Sequence, residues 1–292
     1  MTRPPGSSAG LRYSYVTNGL ADHRIDDALE LLAEAGYVGV ALTLDHHHLD
    51  PFARDLAARV RGLRQRLDEL RLAVTIETGG RFVLNPRRKH EPTLLSDDGR
   101  SRRLALLHRA LAIAADLGAE AVSFWSGAAP ALLDEAEAWR RLVDGCADVV
   151  AEAERRGVLL GFEPEPGMLV DRLDGWERLA SELGHPPGFG ITLDLGHCQC
   201  LEDEPVEACV RRAGSRLVHV HADDMRRGVH EHLDFGEGEV DFPPVLAALI
   251  EVGYDGLVSV ELSRHSHVAH HVVPRAIQFL RAAELEGGGR RP

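Results

Sequence analysis

Residues 189–194 read FGITLD, and this hexapeptide carries two signals at once. In an extended chain Ile191 and Leu193 fall on one side, while Asp194 closes the opposite side at the C-terminal end. The arrangement repeats outward in both directions. VLLGFE at 158–163 sets Val158, Leu160 and Phe162 on one face and ends in Glu163, and RLVHVH at 216–221 sets Val218 and Val220 on one face and ends in His221. LVSVEL at 257–262 opposes Val258, Val260 and Leu262 to Glu261. Further upstream, LAVTIE at 72–77 opposes Val74 and Ile76 to Thr75 and Glu77, and EAVSFW at 120–125 opposes Val122 and Phe124 to Ser123 and Trp125. With LRYSYVT at 11–17 and VGVALT at 38–43 there are eight such runs.

Amphipathic segments at 52–70, 100–117 and 132–156 lie between these runs, with apolar residues at three- and four-residue spacing. Gly36, Gly118, Gly157 and Gly253 stand just ahead of strands, where a helix C-terminus favours a residue tolerant of positive φ. Regular β-α alternation implies a parallel sheet, open or closed. In an open sheet of eight strands the polar strand ends would spread over about 30 Å. In a closed barrel they converge at the top of the axis. The pattern therefore predicts an α/β protein, a single-domain (β/α)8 TIM barrel over 11–285, with frayed termini at 1–10 and 286–292.

The 292 residues suit one such barrel, and 44% hydrophobic with 27% charged residues supply a real core. A net charge of -13 and a pI near 5.6 weigh against a surface that neutralises nucleic-acid phosphates or anionic lipid. MTRPPGSSAG at the start lacks an apolar core, and no stretch approaches about 18 uninterrupted apolar residues. The expectation is a cytoplasmic protein without membrane partners. Four cysteines, Cys146, Cys198, Cys200 and Cys209, are too few for a disulfide scaffold and lack paired C-x-x-C spacing. Cys198 and Cys200 read as small buried residues.

Glu163, Asp194, His221 and Glu261 form a mixed oxygen and nitrogen set suited to a divalent ion such as Mn, Mg, Co or Zn. Unpaired carboxylates on the inward face of a closed barrel would repel one another and lose hydration, so a cation between them is the simplest expectation.

The runs GFEPEPG, ITLDLGHCQC, LVHVHADD, HLDFGEGEVDF and GYDGLVSVEL resemble the xylose isomerase-like TIM-barrel superfamily. That superfamily groups sugar isomerases and epimerases with apurinic endonucleases of the endonuclease IV type. The resemblance covers most of the chain and is strongest in its second half. In the epimerase branch one divalent metal is held by Glu, Asp, His and Glu at the ends of strands five to eight, and the two glutamates exchange the substrate's proton. Carried over, these are Glu163, Asp194, His221 and Glu261, with His197 of D-x-x-H beside the substrate oxygens. Glu165 and His219 are neighbouring alternatives, one beyond the strand and one a pleat deeper.

The chemistry also follows from general principles. A cation that holds the carbonyl and hydroxyl oxygens of a hydroxy-ketone acidifies the adjacent C–H by stabilising an enediolate. One carboxylate removes the proton and a group on the other face returns it. Return to the same carbon gives an epimer, return to its neighbour gives an aldose, and departure of a β-hydroxyl makes the enzyme a dehydratase. Lys89 is the only lysine and lies in a loop, which speaks against a hydride-shift isomerase. The expected partner is a small sugar, cyclitol or related hydroxy-ketone.

The endonuclease branch uses three zinc ions. His230-Glu231-His232 stands where that branch has an Asp-x-His pair, so His197, His230 and His232 are candidates for a second metal or for substrate contacts. Glu77 and Trp125 stand where that branch would have histidine ligands, which together with the acidic surface makes a nucleic-acid substrate unfavoured and a phosphoesterase the lesser alternative. The loop after the third strand, ETGGRFVLNPRRKHEPTLLS, gathers Arg81, Arg87, Arg88, Lys89 and His90. Arg81, Lys89 and His90 are candidates to reach an anionic group on the substrate, Trp125 to stack on its apolar face, and Glu77 to meet it from the third strand. Asp45-His46-His47-His48 reads as a rim, and His265, His267, His270 and His271 as the start of the last helix. Members of this family often act as dimers or tetramers, so a homo-oligomer is an expectation that rests on the resemblance alone.

Overall fold

The computed structural model describes residues 10–288. Eight parallel strands close a barrel: β1 (Arg12–Val16), β2 (Gly39–Thr43), β3 (Ala73–Glu77), β4 (Val122–Phe124), β5 (Leu160–Phe162), β6 (Phe189–Asp194), β7 (Leu217–Ala222) and β10 (Leu257–Val260). Their order around the ring is β1-β10-β7-β6-β5-β4-β3-β2. All eight correspond to the runs read from the sequence. Helices α1 (Ile25–Ala35), α2 (Leu56–Leu70), α3 (Arg100–Leu117), α4 (Glu135–Arg156), α5 (Leu173–Glu182), α6 (Leu195–Leu201), α7 (Val206–Ala213), α8 (Phe242–Glu251) and α9 (Ala269–Gly288) connect and surround them. Gly36, Gly118, Gly157 and Gly253 all adopt positive φ, between 66° and 92°, which closes the preceding helices without a Cβ clash.

Side-chain alternation sorts the strands into two faces. Val40, Val74, Phe124, Phe162, Phe189, Ile191 and Val258 belong to the apolar cluster, with Phe124 and Phe162 in edge contact at 5.3 Å. The opposite face carries Ser14, Thr75, Thr192, His219 and Ser259, all buried. This polar face is the barrel interior, because Glu77 of β3 reaches both His219 and His221 of β7, four strands away around the ring of eight. The usual filling of such barrels is bulky and branched; here it is small and polar, which leaves room for His219 on the axis.

One register detail departs from the sequence pattern. Between β6 and β7 the pairing shifts at Ile191/Thr192, so Leu217 and then His219 oppose consecutive β6 residues, and Val218 is half-exposed. The bulge restores the register in time to set Asp194 opposite His221. An element not foreseen is the antiparallel hairpin β8 (Asp224–Arg226) and β9 (Val229–Leu233), turned at Gly228 with φ 72°.

The expected C-terminal tail also begins too early: α9 continues through Gly288, packing on α8 with Gly287 so close to Pro243 O that a Cβ would lie 2.4 Å away. Residues 1–9 and 289–292, where the remaining terminal fraying was expected, lie outside the described residues. Among the described residues no helix is long and apolar enough to cross a membrane.

Candidate metal centre and substrate pocket

Each of the four anticipated ligands is fixed by local structure. Asp194 ends β6 and caps α6: its Oδ1 accepts the His197 backbone N–H at 2.7 Å. That bond leaves Oδ2 buried with no hydrogen-bond partner. Glu163 follows β5, and its Oε1 lies 3.1 Å from His221 Nδ1. Glu261 follows β10, and its Oε2 lies 3.1 Å from the same nitrogen. A turn at Thr17–Leu20 carries Asn18, which donates from Nδ2 to Glu261 Oε1 at 2.7 Å. Thr17 anchors this turn by accepting the Thr43 N–H at 2.9 Å. One ligand atom from each of Glu163, Asp194, His221 and Glu261 lies within 4.8 Å of the others.

His221 is oriented from behind. Its Nε2 faces Glu77 Oε1 at 3.1 Å, which points Nδ1 at the three other ligands. Glu77 lines the cavity as expected, but its nearest partners are His221 and His219, the latter at 3.3 Å. Electrostatics favour positive charge at this point. Burial works against a charged His221, yet Glu77, Glu163 and Glu261 hold its pKa well above the ordinary value. Burial lifts the Glu163 carboxyl to about 7, with His221 pulling against and Glu261 and Asp194 adding to the rise. Burial also opposes ionisation of Glu77, but His221 and His219 bring it down to about 2. A divalent cation fits this donor set: carboxylate oxygens, one imidazole nitrogen, a buried unpartnered Oδ2, and a carboxylate behind the histidine.

Beside this group sits a second one. His197 Nδ1 faces Pro164 O at 3.2 Å, and its Nε2 is buried without a partner. Hairpin β8–β9 brings His230 and His232 to it, with ring centroids at 4.9 and 5.9 Å from His197. Asp223 pairs with His232. Burial brings His197 down to about 3, so its imidazole is neutral, whereas Asp223 overcomes burial to lift His232 to about 10. The next residue, Asp224, shapes the G-E-G turn by accepting the N–H groups of Gly236, Gly238 and Val240 at 2.9, 2.9 and 3.0 Å.

Both groups open into one cavity of about 480 Å3. Arg81, Lys89, His90 and Trp125 line it, as do His46, His47 and His48; Arg87 and Arg88 do not. Trp125 and His90 are in ring contact at 5.3 Å. Burial, with Lys89, Arg103 and Arg81 nearby, lowers His90 to about 4. Two residues that meet the cavity or its walls carry no signal in the sequence reading, and a third was offered there only as an alternative. Asn18 lies in a short turn with no periodic signal, and Asp223 lies beyond the end of β7, outside the strand alternation. Glu165, the alternative that lies beyond the strand, lines the cavity, and burial with Glu163 and Glu261 raises it to about 8.

The chain is 34% identical over 154 residues to the rhizopine catabolism protein MocC of Rhizobium meliloti, covering 47% of this chain and 46% of that one. It is 32% identical over 149 residues to the inosose dehydratase of Geobacillus kaustophilus, covering 45% and 48%. In both cases the chain spans a little under half the length of the relative. Over 208 residues it is 28% identical to the L-ribulose-5-phosphate 3-epimerase UlaE of Escherichia coli, covering 68% and 72%. A crystal structure of a D-tagatose 3-epimerase-like protein superimposes with a TM-score of 0.76 at 20% identity, over 96% of this chain and 99% of that one, a likeness of fold. The family profile described as xylose isomerase-like TIM barrel matches residues 29–283. The chain belongs to the xylose isomerase-like TIM barrel family.

Proposed function

We propose that this protein is a divalent-metal-dependent isomerase or epimerase of a small sugar, cyclitol or related hydroxy-ketone. The observation that carries the reading is the convergence of Glu163, Asp194, His221 and Glu261 on one point beside a cavity of about 480 Å3, ample for a small polyol. A divalent ion held there by those four residues would supply Lewis acidity toward the substrate's carbonyl and hydroxyl oxygens.

The chain's own residues account for the rest. Glu163, at the end of β5 beside the point where the four side chains meet, is placed to take and return a proton on one face of the substrate. Glu261, three strands further around the ring and steadied by Asn18, faces the same point and serves the opposite face of the substrate. His197, neutral with a free Nε2, and Glu165, protonated at neutral pH, offer hydrogen bonds to substrate hydroxyls. Trp125 supplies an apolar face, and Arg81, Lys89 and His90 suit an anionic substituent. His230 and His232 close the wall beside His197, and a second metal at these three histidines is the alternative use of that group.

Sequence likeness to an inosose dehydratase favours a second reading, loss of water from a keto-polyol at the same centre. Incubation of the metal-loaded protein with ketoses, ketose phosphates and inososes in deuterated water tests both. Deuterium at the carbon beside the carbonyl, with a new epimer or aldose, supports the first; an ultraviolet-absorbing enone supports the second. Absence of exchange from every candidate, with metal bound, would overturn both.

A further inference from the structure

Helix α3 opens with Arg100, Arg102 and Arg103 and has no acidic residue in its first turn. Cations at a helix N-terminus oppose the macrodipole, so their placement calls for another reason. Their acceptors supply it. Arg102 donates to Leu84 O, and Arg103 donates from Nε to Pro92 O at 2.8 Å and from Nη2 to His90 O. Arg103 is 3% exposed, and no carboxylate lies within ion-pair distance of it among the described residues. Its guanidinium carbon sits 4.7 Å from the centre of the Trp125 ring. The far side of this layer is the cavity: Trp125 and His90 both line it and Arg103 does not.

The loop that Arg103 grips is tied at Leu84 O by Arg102 and through Arg81 to Ser263 O at 3.3 Å, but among the described residues only Arg103 joins it to Trp125 from behind the cavity wall. His90 has φ 64°, an unfavourable region for a residue with a Cβ, and its N–H reaches Arg81 O at 2.7 Å to close the segment 81–90 on itself. A planar fork that reaches two carbonyls while lying against an indole is a task for arginine and not for lysine.

We infer that Arg103 is a positioning residue for substrate: from behind the cavity wall it holds Trp125 and the loop bearing Arg81, Lys89 and His90 in one arrangement. This rests on the proposed isomerase reading for its kinetic consequence and on the geometry alone for its structural one.

The test uses the full-length variants R103M and R103K, with W125F to assign the Trp125 contribution to the near-ultraviolet circular dichroism. Two readouts need no substrate. Trypsin cleavage after Arg87, Arg88 and Lys89 is expected to accelerate at least about tenfold well below the melting temperature, and the Trp125 signal to fall. With a substrate in hand, KM rises about tenfold or more while kcat stays within about threefold, a split that mere loss of stability does not produce. R103K keeps the charge but not the fork, so it shows the same changes in weaker form, and it decides the matter should R103M not fold. Folded variants with wild-type cleavage and an unchanged Trp125 signal overturn the inference whatever the reaction turns out to be. A loosened loop with unchanged KM overturns the substrate-positioning role. Absence of turnover in the wild type counts against the isomerase reading and leaves the two substrate-free readouts to decide on Arg103.

Discussion

Replacing Glu77 by Gln probes the metal centre without touching any of its four ligands. Glu77 Oε1 lies 3.1 Å from His221 Nε2, on the opposite side of the ring from the nitrogen that faces Glu163 and Glu261. Gln keeps the size and an acceptor oxygen but removes the charge that makes His221 a stronger donor. Loss of a carboxylate behind a metal-binding histidine typically costs tenfold to hundredfold in affinity, about 1.4–2.8 kcal/mol. The Glu77→Gln protein is therefore expected to bind Mn2+ in isothermal titration with a Kd raised by that factor and unchanged stoichiometry, and to regain most of its turnover at saturating metal. Wild-type affinity would refute the orienting role. Complete loss of binding would refute it too, because it would make Glu77 a ligand.

Three other outcomes follow from the same geometry. Glu163→Gln and Glu261→Gln should each lower the rate of solvent deuterium exchange by about 10²–10⁴-fold with the far-ultraviolet dichroism unchanged, and exchange at wild-type rate in either would remove that residue from proton transfer. For Glu163 the folded pKa of about 7 exceeds the unfolded value of 4.5, so the folded state holds the extra proton between these limits. Metal-free wild type should thus lose stability relative to Glu163→Gln as pH rises from 4.5 to 7, and metal affinity should rise over the same window; thermal melts of both proteins with and without Mn2+ across that range check it, and a pH-independent difference between the two metal-free proteins would contradict it. Asp224→Ala frees the N–H groups of Gly236, Gly238 and Val240 and should cost about 3 kcal/mol or more, read as a fall in Tm by differential scanning fluorimetry. An unchanged Tm would show that the G-E-G turn holds without it.

The barrel was legible because its strands obey one rule: apolar residues toward the helices, polar residues toward the axis and the strand end. Ile191 and Leu193 against Thr192 and Asp194 show it in six residues. The ligand set was legible for the same reason, since Glu163, Asp194, His221 and Glu261 all stand at strand ends. What escaped lies where no periodicity operates. β8 and β9 carry DMR and VHEHL, polar sequences whose pairing is set by the turn at Gly228 and by Asp224, and only the hairpin explains how His230 and His232 meet His197. The bulge at Ile191/Thr192 left no mark in the pattern, because Val218 continues the alternation that the backbone breaks. Arg103 read as an ordinary helical residue, since burial of a cation against carbonyls and an indole is a tertiary event.

Metal analysis of the purified protein by plasma mass spectrometry, after loading and gel filtration and beside an Asp194→Asn variant, tests the central claim most directly. The account predicts one divalent ion per wild-type chain and loss of it in the variant, because Asp194 Oδ2 is the buried oxygen left without a protein partner. No retained metal in the wild type, or an ion retained in full by the variant, would contradict it.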